Sequence, residues 1–588
     1  MPSSVGSAAF SRRGFLAAGA GTLAVTAVGG WTPVHALPLG SSDSGSLGGG
    51  ATLPAPPDFP SDIDLAQQAY QNWSKEIMLD STWTATPKNS GDVVRLTNWA
   101  HAQGYTLRPR GAMHGWTPLT VVNGASVDKV ILVDTTKYLN GVVVDAGGSP
   151  ATVTAGPGAT LDAITSALQE QGLGWANLPA PGVLTIAGTL AVDAHGAALP
   201  ADGGSALPGH TYGSLSNLVT SLTAVVWNGT EYAERTFSRN DPKIKPLLTN
   251  LGRTFVTSVT MQAGPNFRMR CQSYTDIDWQ ELFGPGGASG RTFESYVAAN
   301  GGVEAIWYPF TDKPWLKVWS IAPTKPAGAR EVTGPYNYPF SDNVPEPVTD
   351  LLGQMNAGNP GIAPLFGQTM YSVTKAGLTA TGSSDIWGWS KDVQFYIKAT
   401  TLRLTEGGGA VITSRANIGR VIHDFAVWFD ERIEFYRAKG QYPLNGPVEI
   451  RCCGLDEVAD VAVPSAGAPT ISAMRPRPDH PDWDTAIWLN VLGVPGTPGM
   501  FAFYREMEQW MRSHYTGADY TFRPEWSKGW AFGPDQPYTD GAIITGALPQ
   551  SYRVGLPSND NWDTAVATFN EFDPHKVYSN TFMDQLLP

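Results

Sequence analysis

A chain of 588 residues is too long for one ordinary core, so two domains with room for a large internal site are expected. A formal charge of -13 argues against a polyanionic partner, which demands a Lys and Arg surplus, and no nucleic acid is expected. Only 15% of residues are charged, while 65 Gly and 46 Pro point to a turn-rich, β-rich globular plan, and three cysteines with no C-x-x-C spacing support neither a disulfide scaffold nor a metal site.

The chain opens on an address. In "SRRGFL", Arg12 and Arg13 precede an apolar run, and "VHA" (residues 34–36) offers small residues for cleavage, so residues 1–36 read as a twin-arginine signal for a secreted protein. The run is too short and too rich in Gly and Thr for a membrane span. Within it "GAGTLA" fits a G-x-G-x-x-A pattern, but no strand precedes it. Residues 37–60 are a Ser/Gly and then Pro linker. After it, Val93, Leu96 and Ala100 share one face of a helix over 91–104, and "YTLRPRG" follows as a strand. Strands are predicted at 130–134 and 151–158, and a helix at 160–172 turns Leu161, Ile164 and Leu168 inward. Further strands come at 215–232 and 255–263. This alternation indicates an α+β fold. Beyond Cys271 the texture changes to aromatic-rich strands, 314–322 and 392–404, alternating with helices at 420–440 and 501–515. A domain boundary is placed near 270, giving domains 61–270 and 271–545.

The glycine-flanked histidine of "RPRGAMHGW" (108–116) stands out. Gly111, Ala112 and Gly115 let the backbone around Met113 and His114 approach a ligand and aim successive N–H groups at it, as a nest for an anion does; taken alone, the stretch could equally be a turn with a buried histidine. In "LPAPGVLTIAGTLAVDAHGAALP" (178–200), Gly182, Gly188 and Gly196 again allow close approach to a flat or phosphorylated ligand. With "YGSLSNLVTSLTAVVWNG" (212–229), in this order and spacing, these stretches resemble the FAD-binding domain of the vanillyl-alcohol oxidase family of flavoproteins. The resemblance implies a two-part FAD-binding domain of that family's type under a large substrate cap of sheet and helices. It implies FAD covalently attached through His114. Contacts are implied from Arg110, Gly111, Ala112, Met113, Gly115, Trp116, Pro181, Gly182, Thr185, Gly188, Thr189, Gly196, Ser214 and Asn217, with a backbone role for His195. "EIR" (449–451) and "RPEWSK" (523–528) resemble motifs of the family's alditol and aldonolactone oxidase branch, with Glu525 where a histidine is usual. "FDPHKVYSNTF" (572–582) resembles its closing segment, so 546–588 is expected to return to the FAD domain. Over the whole chain after the linker, including "GGVEAIWYPF" (301–310) and "IWLNV" (487–491), the nearest likeness is to the family's sterol-oxidising members with covalent FAD.

That reading needs a charge partner for the reduced ring, a grip on the hydroxyl and a proton carrier. Lys528 fits the first, unless it is a solvated surface lysine. Glu449 and Arg451 share a strand face and, with Asn490 as a neutral donor, fit the second; a structural ion pair and a core asparagine are the plain alternatives. Glu304 and Glu406 are candidates for moving the double bond, each expected to have a raised pKa if buried among its apolar or glycine neighbours. The expected partners are a sterol and molecular oxygen, with passing membrane contact, and the protein is expected to act as a monomer. A sugar oxidase on the same fold, and an exported apolar-ligand-binding protein without redox activity, are the competing readings.

Overall fold

The computed structural model describes residues 53–342, 351–352, 354–355, 358–398 and 401–588, so the expected export signal, and the linker up to residue 52, lie outside the described residues. The first sheet contains β1 (Asp64–Gln71), β2 (Met78–Thr86), β3 (Thr106–Arg110) and β4 (Val130–Asp134) in the order β1-β2-β4-β3. Between β2 and β3 runs helix Ser90–Gln103. The Asn89 side chain caps its start by accepting from the Asp92 N–H, and Gly104 ends it at φ 67°, a left-handed conformation that glycine adopts without steric cost. Its Val93, Leu96 and Ala100 are fully buried, as their spacing predicts.

The second sheet holds β5 (Val142–Asp145), β6 (Ala151–Ala155), β7 (Leu173–Gly174), β8 (Val219–Trp227), β9 (Tyr232–Ser238) and β10 (Phe255–Pro265). Its order is β5-β6-β10-β8-β9, with β7 on β10. Helix Leu161–Glu170 packs Leu161, Ile164 and Leu168 into the same core.

Only Asn266 and Phe267 separate β10 from β11 (Arg268–Tyr274), which opens a nine-stranded sheet. The other strands are β12 (Gly302–Trp307), β13 (Trp315–Ile321), β14 (Arg330–Glu331), β15 (Asp385–Trp389), β16 (Thr405–Thr413), β17 (Val448–Gly454), β18 (Thr485–Gly493) and β19 (Thr521–Pro524), in the order β14-β15-β11-β13-β12-β17-β18-β16-β19. Side chains alternate across such a sheet. Val303, Ala305, Leu316, Ile450 and Leu489 point to one face and share a core with Phe425 and Phe429 of helix Ile418–Ala438 and Phe503 and Met507 of helix Met500–His514. The residues between them, Glu304, Lys317, Glu449, Arg451 and Asn490, therefore take the opposite face.

Three elements depart from the sequence pattern. The described part of the strand expected at 392–404 is not one: helix Ser390–Gln394 occupies its start, and the N–H groups of Tyr396 and Ile397 donate to the Ala180 carbonyl of the first domain, so this backbone joins the domains instead of extending the sheet. The β1–β2 hairpin and helix Ala363–Ala380 have no counterpart among the predicted elements.

Trp526, Trp530, Trp562, Phe569 and Met583 share a core with Leu215, Leu218 and Leu248, so packing against the first domain is not confined to residues after 546; Ile471 joins the same core. The return is pinned at Asp573. Its carboxylate accepts from Tyr232 Oη at 2.6 Å, from the N–H groups of Val577 and Tyr578 at 2.8 and 3.0 Å, and from buried Arg253. Removing one partner leaves a buried charge uncompensated. Asp573→Ala is expected to cost about 3–5 kcal/mol, read as a loss of unfolding free energy in denaturant titration; a loss below about 1 kcal/mol would contradict this role.

Candidate active site

One cavity of about 740 Å³ lies between the domains. From the first domain it is lined by the loop from Arg108 to Thr117 and by residues between Ala176 and Ala201; from the second, by the open face of the nine-stranded sheet. Met113, at φ 54°, is a non-glycine residue in the left-handed region, a strain that the loop maintains beside the cavity. A Cβ at Gly111 would stand 2.0 Å from Thr185 Oγ1, whereas one at Gly115 would meet nothing within 4 Å. The loop is thus packed at one glycine and open at the other, as a cradle for a ligand must be. It is also tied to the second domain: Trp116 N–H donates to Ser527 O at 2.8 Å and Trp116 Nε1 to Leu404 O at 2.9 Å.

His114 stacks on Trp73, with centroids 3.8 Å apart and planes at 32°, and meets the Trp116 ring edge-on at 5.9 Å. Burial, followed by the charges of Lys528 and Arg403, pushes its pKa down to about 3, so the imidazole is uncharged at neutral pH and a nitrogen lone pair is available.

Two cross-strand rows build the opposite wall. In one, Lys317, Glu304, Arg451 and Trp488 stand in register across β13, β12, β17 and β18. In the next, Ile306, Glu449, Asn490 and Gly408 do the same from β12 to β16. Arg451 is the hub, 2.9 Å from Glu449 Oε2, 3.5 Å from Glu525 Oε1 and 3.8 Å from Glu304 Oε1. Glu304 Oε2 also accepts from Tyr396 Oη at 2.6 Å and Lys317 Nζ at 3.2 Å. Lys528 Nζ pairs with Glu406 Oε2 and lies 4.0 Å above the Trp116 ring, so it is not a solvated surface lysine.

These contacts separate the carboxylates. Burial raises Glu304, but Lys317, Arg451 and the Tyr396 hydroxyl outweigh it and hold the carboxyl below its ordinary range. The expectation of a raised Glu304 is therefore corrected; its neighbours along the strand are apolar, but its cross-strand partner is a lysine. Glu449 is the raised one. Burial, and then the negative charge of Glu406, push it up to about 7 against the pull of Arg451. Glu525 is held well below its usual range: burial opposes this, and Lys528, Arg451 and His195 prevail.

Most predicted residues line the cavity: Arg110, Gly111, Ala112, Met113, His114, Gly115, Trp116, Pro181, Thr185, Gly188, Thr189, His195, Gly196, Glu304, Glu406, Glu449, Arg451 and Lys528. Four do not. Ser214, fully buried, gives its N–H and hydroxyl to Asp456 Oδ1, both at 2.7 Å. Asn217 donates to Thr211 Oγ1 and Glu457 O, so both residues tie the first domain to the loop after β17. A Cβ at Gly182 would stand 3.0 Å from the Phe395 ring. Asn490, in the second of those rows, is fully buried and does not reach the cavity surface. Its two N–H donors are spent on Glu406 Oε1 and Glu525 Oε2, each at 2.6 Å, so it is a brace between carboxylates and not a free donor to a hydroxyl. His195 brings its side chain to the carboxylate cluster: Nε2 lies 3.7 Å from Glu525 Oε1, and the ring stacks on Trp488 at 3.8 Å.

This geometry agrees with what the chain is similar to. Residues 82–233 match the family described as an FAD binding domain, and residues 268–588, more than half of the chain, match that described as cholesterol oxidase, substrate-binding. The chain belongs to the cholesterol oxidase family. Among solved structures, the cholesterol oxidase of Brevibacterium sterolicum is 73% identical, covers 92% of this chain and 100% of its own, and superposes with a TM-score of 0.91. A variant of that enzyme with one histidine replaced by alanine gives the same identity and coverage and a TM-score of 0.90. A solvent-stable cholesterol oxidase is 46% identical, covers 91% of this chain and 100% of its own, with a TM-score of 0.90. Comparison with curated proteins gives no match.

Among the residues lining the cavity, sequence reasoning missed Trp73, Lys317 and Tyr396. Lys317 left a signal, as the single charge in the strand "PWLKVWSIA". Trp73 left none, because its proximity to His114 depends on a hairpin that the sequence pattern did not suggest.

Proposed function

We propose that the chain is a secreted FAD-dependent oxidase of 3β-hydroxysteroids, cholesterol foremost, that converts the 3-hydroxyl to a ketone, releases hydrogen peroxide and moves the double bond to give the 4-en-3-one. The observation that carries this reading is a single cavity in which the cradle around His114 faces a carboxylate cluster and an apolar wall. That wall includes Ile306, Tyr308, Trp315, Trp319 and Met370, surface suited to a rigid apolar body and ill suited to a polyol. FAD, when bound, supplies the hydride acceptor and passes the electron pair to dioxygen.

The residues present fit that cofactor. The loop from Gly111 to Trp116 would hold it, with His114 as the covalent attachment point, and Lys528 Nζ would offset negative charge on the reduced ring. Arg451 orients the substrate hydroxyl, and Glu449 Oε takes its proton. Glu304 then removes a proton from the carbon between ketone and alkene and returns it two carbons away. Glu304 is favoured over Glu406 because Glu406 has one oxygen on Asn490 and the other on Lys528, whereas among the described residues Glu304 Oε1 has no ion-pair partner nearer than Arg451 at 3.8 Å. Export rests on Arg12 and Arg13. Sterol uptake through contact with a membrane is supported by Ile321, which is 48% exposed and also lines the cavity.

The covalent bond has a direct test. Acid-precipitated, washed protein is expected to keep its yellow colour, and His114→Ala to release all its flavin to the supernatant. Flavin that stays with the His114→Ala pellet would overturn the attachment site.

A further inference from the structure

Three parts of the chain meet at His114. Its own loop lies in the segment that matches the FAD-binding domain, residues 82–233. Trp73, which stacks on it, comes from the β1–β2 turn, outside that segment. Arg403 comes from the substrate-binding segment, 268–588, and holds its guanidinium carbon 5.1 Å from the centroid of Trp73. The turn is firmly set: Asn72 N–H donates to Ile77 O at 3.0 Å, Ile77 N–H to Asn72 Oδ1 at 3.1 Å, and Asn72 Nδ2 to Trp116 O at 3.2 Å. Trp73 is only 7% exposed, so its ring cannot swing away from the imidazole.

We infer that Trp73 and Arg403 are positioning residues for covalent attachment, fixing the imidazole plane of His114 so that the bond forms only after the substrate-binding domain has docked on the FAD domain. The inference rests on the covalent reading above. In the attachment step an imidazole nitrogen of His114 bonds to a methyl carbon of the flavin ring. The methyl and the imidazole each lose a proton, and these two protons with one electron pair reduce dioxygen, which leaves as hydrogen peroxide. The nitrogen must present its lone pair along one direction. A flat ring at 3.8 Å limits rotation of the imidazole, and the cation on Trp73 adds to the field that keeps it uncharged. An FAD domain without its partner lacks Arg403 and also lacks Lys528, the cation on Trp116.

The test uses the full chain, produced under flavin limitation and then loaded with FAD. Two quantities are read: total FAD bound in the native protein, and flavin fluorescence of the denatured band over time. Trp73→Ala is expected to bind FAD but to form the fluorescent band about tenfold more slowly or worse per bound flavin, with Trp73→Phe between it and wild type. Arg403→Gln is expected to slow the band and Arg403→Lys to restore it. A merely structural role would lower FAD occupancy and leave the rate per bound flavin unchanged, and that result overturns the inference. Should Trp73→Ala fail to fold, Trp73→Phe and the Arg403 pair decide by the same criterion. A wild-type chain with no fluorescent band sinks the covalent reading and this inference together, whereas a normal wild-type band with undiminished variants sinks this inference alone.

Discussion

Glu304→Gln is expected to produce hydrogen peroxide from cholesterol while the unconjugated ketone accumulates, with the isomerisation rate down by about 10²–10⁴-fold. The substitution keeps the shape and the acceptor for Tyr396 Oη but removes the base. The native carboxylate is 2% exposed and held ionised by Lys317 and Arg451, so it is ready to accept a proton across the neutral range. Its conjugate acid is correspondingly willing to give the proton back, which the return to the far carbon requires. The experiment follows peroxide and the absorbance of the conjugated enone in the same sample. Enone formed as fast as peroxide would take the role away from Glu304.

The second large effect concerns Glu449. In wild type, flavin reduction by sterol without oxygen is expected to speed up as pH rises through about 7, where the carboxyl ionises and becomes able to take the hydroxyl proton. Glu449→Gln is expected to lose this limb and to be slower by about 10²-fold at pH 8. The sign for stability runs the other way. A carboxyl raised from 4.5 to about 7 in the folded state stabilises the fold in its protonated form. That contribution is present below 4.5 and is lost as pH climbs to about 7, so Glu449→Gln should flatten the fall in stability across that window. A pH–rate limb that persists in Glu449→Gln would assign the proton to another group.

Much of the fold is legible in the residues where one period dominates. Helix Ser90–Gln103 and helix Leu161–Glu170 show their buried faces at helical spacing, and "VILVD" is β4 residue for residue. The pattern misleads where long-range contacts decide. Residues 392–404 look like an amphipathic strand, yet the N–H groups of Tyr396 and Ile397 are claimed by Ala180. The site divides in the same way. The glycine-rich loop and the "EIR" pair can be found by type and spacing, because i and i+2 on a strand must share a face. The charge state of Glu304 cannot, because it depends on Lys317 across the sheet and on Tyr396 from a segment between sheet strands. Asn490 shows the limit most plainly: its residue type suggests a donor, but two carboxylates have already taken both N–H groups.

The measurement that most directly tests the central claim is anaerobic mixing of the purified protein with cholesterol, followed by admission of oxygen. The expected result is a yellow protein whose flavin absorbance bleaches with cholesterol, recovers with oxygen and leaves one equivalent of hydrogen peroxide per turnover. A colourless protein, or a flavin that bleaches with alditols or aldonolactones and not with cholesterol, would contradict it.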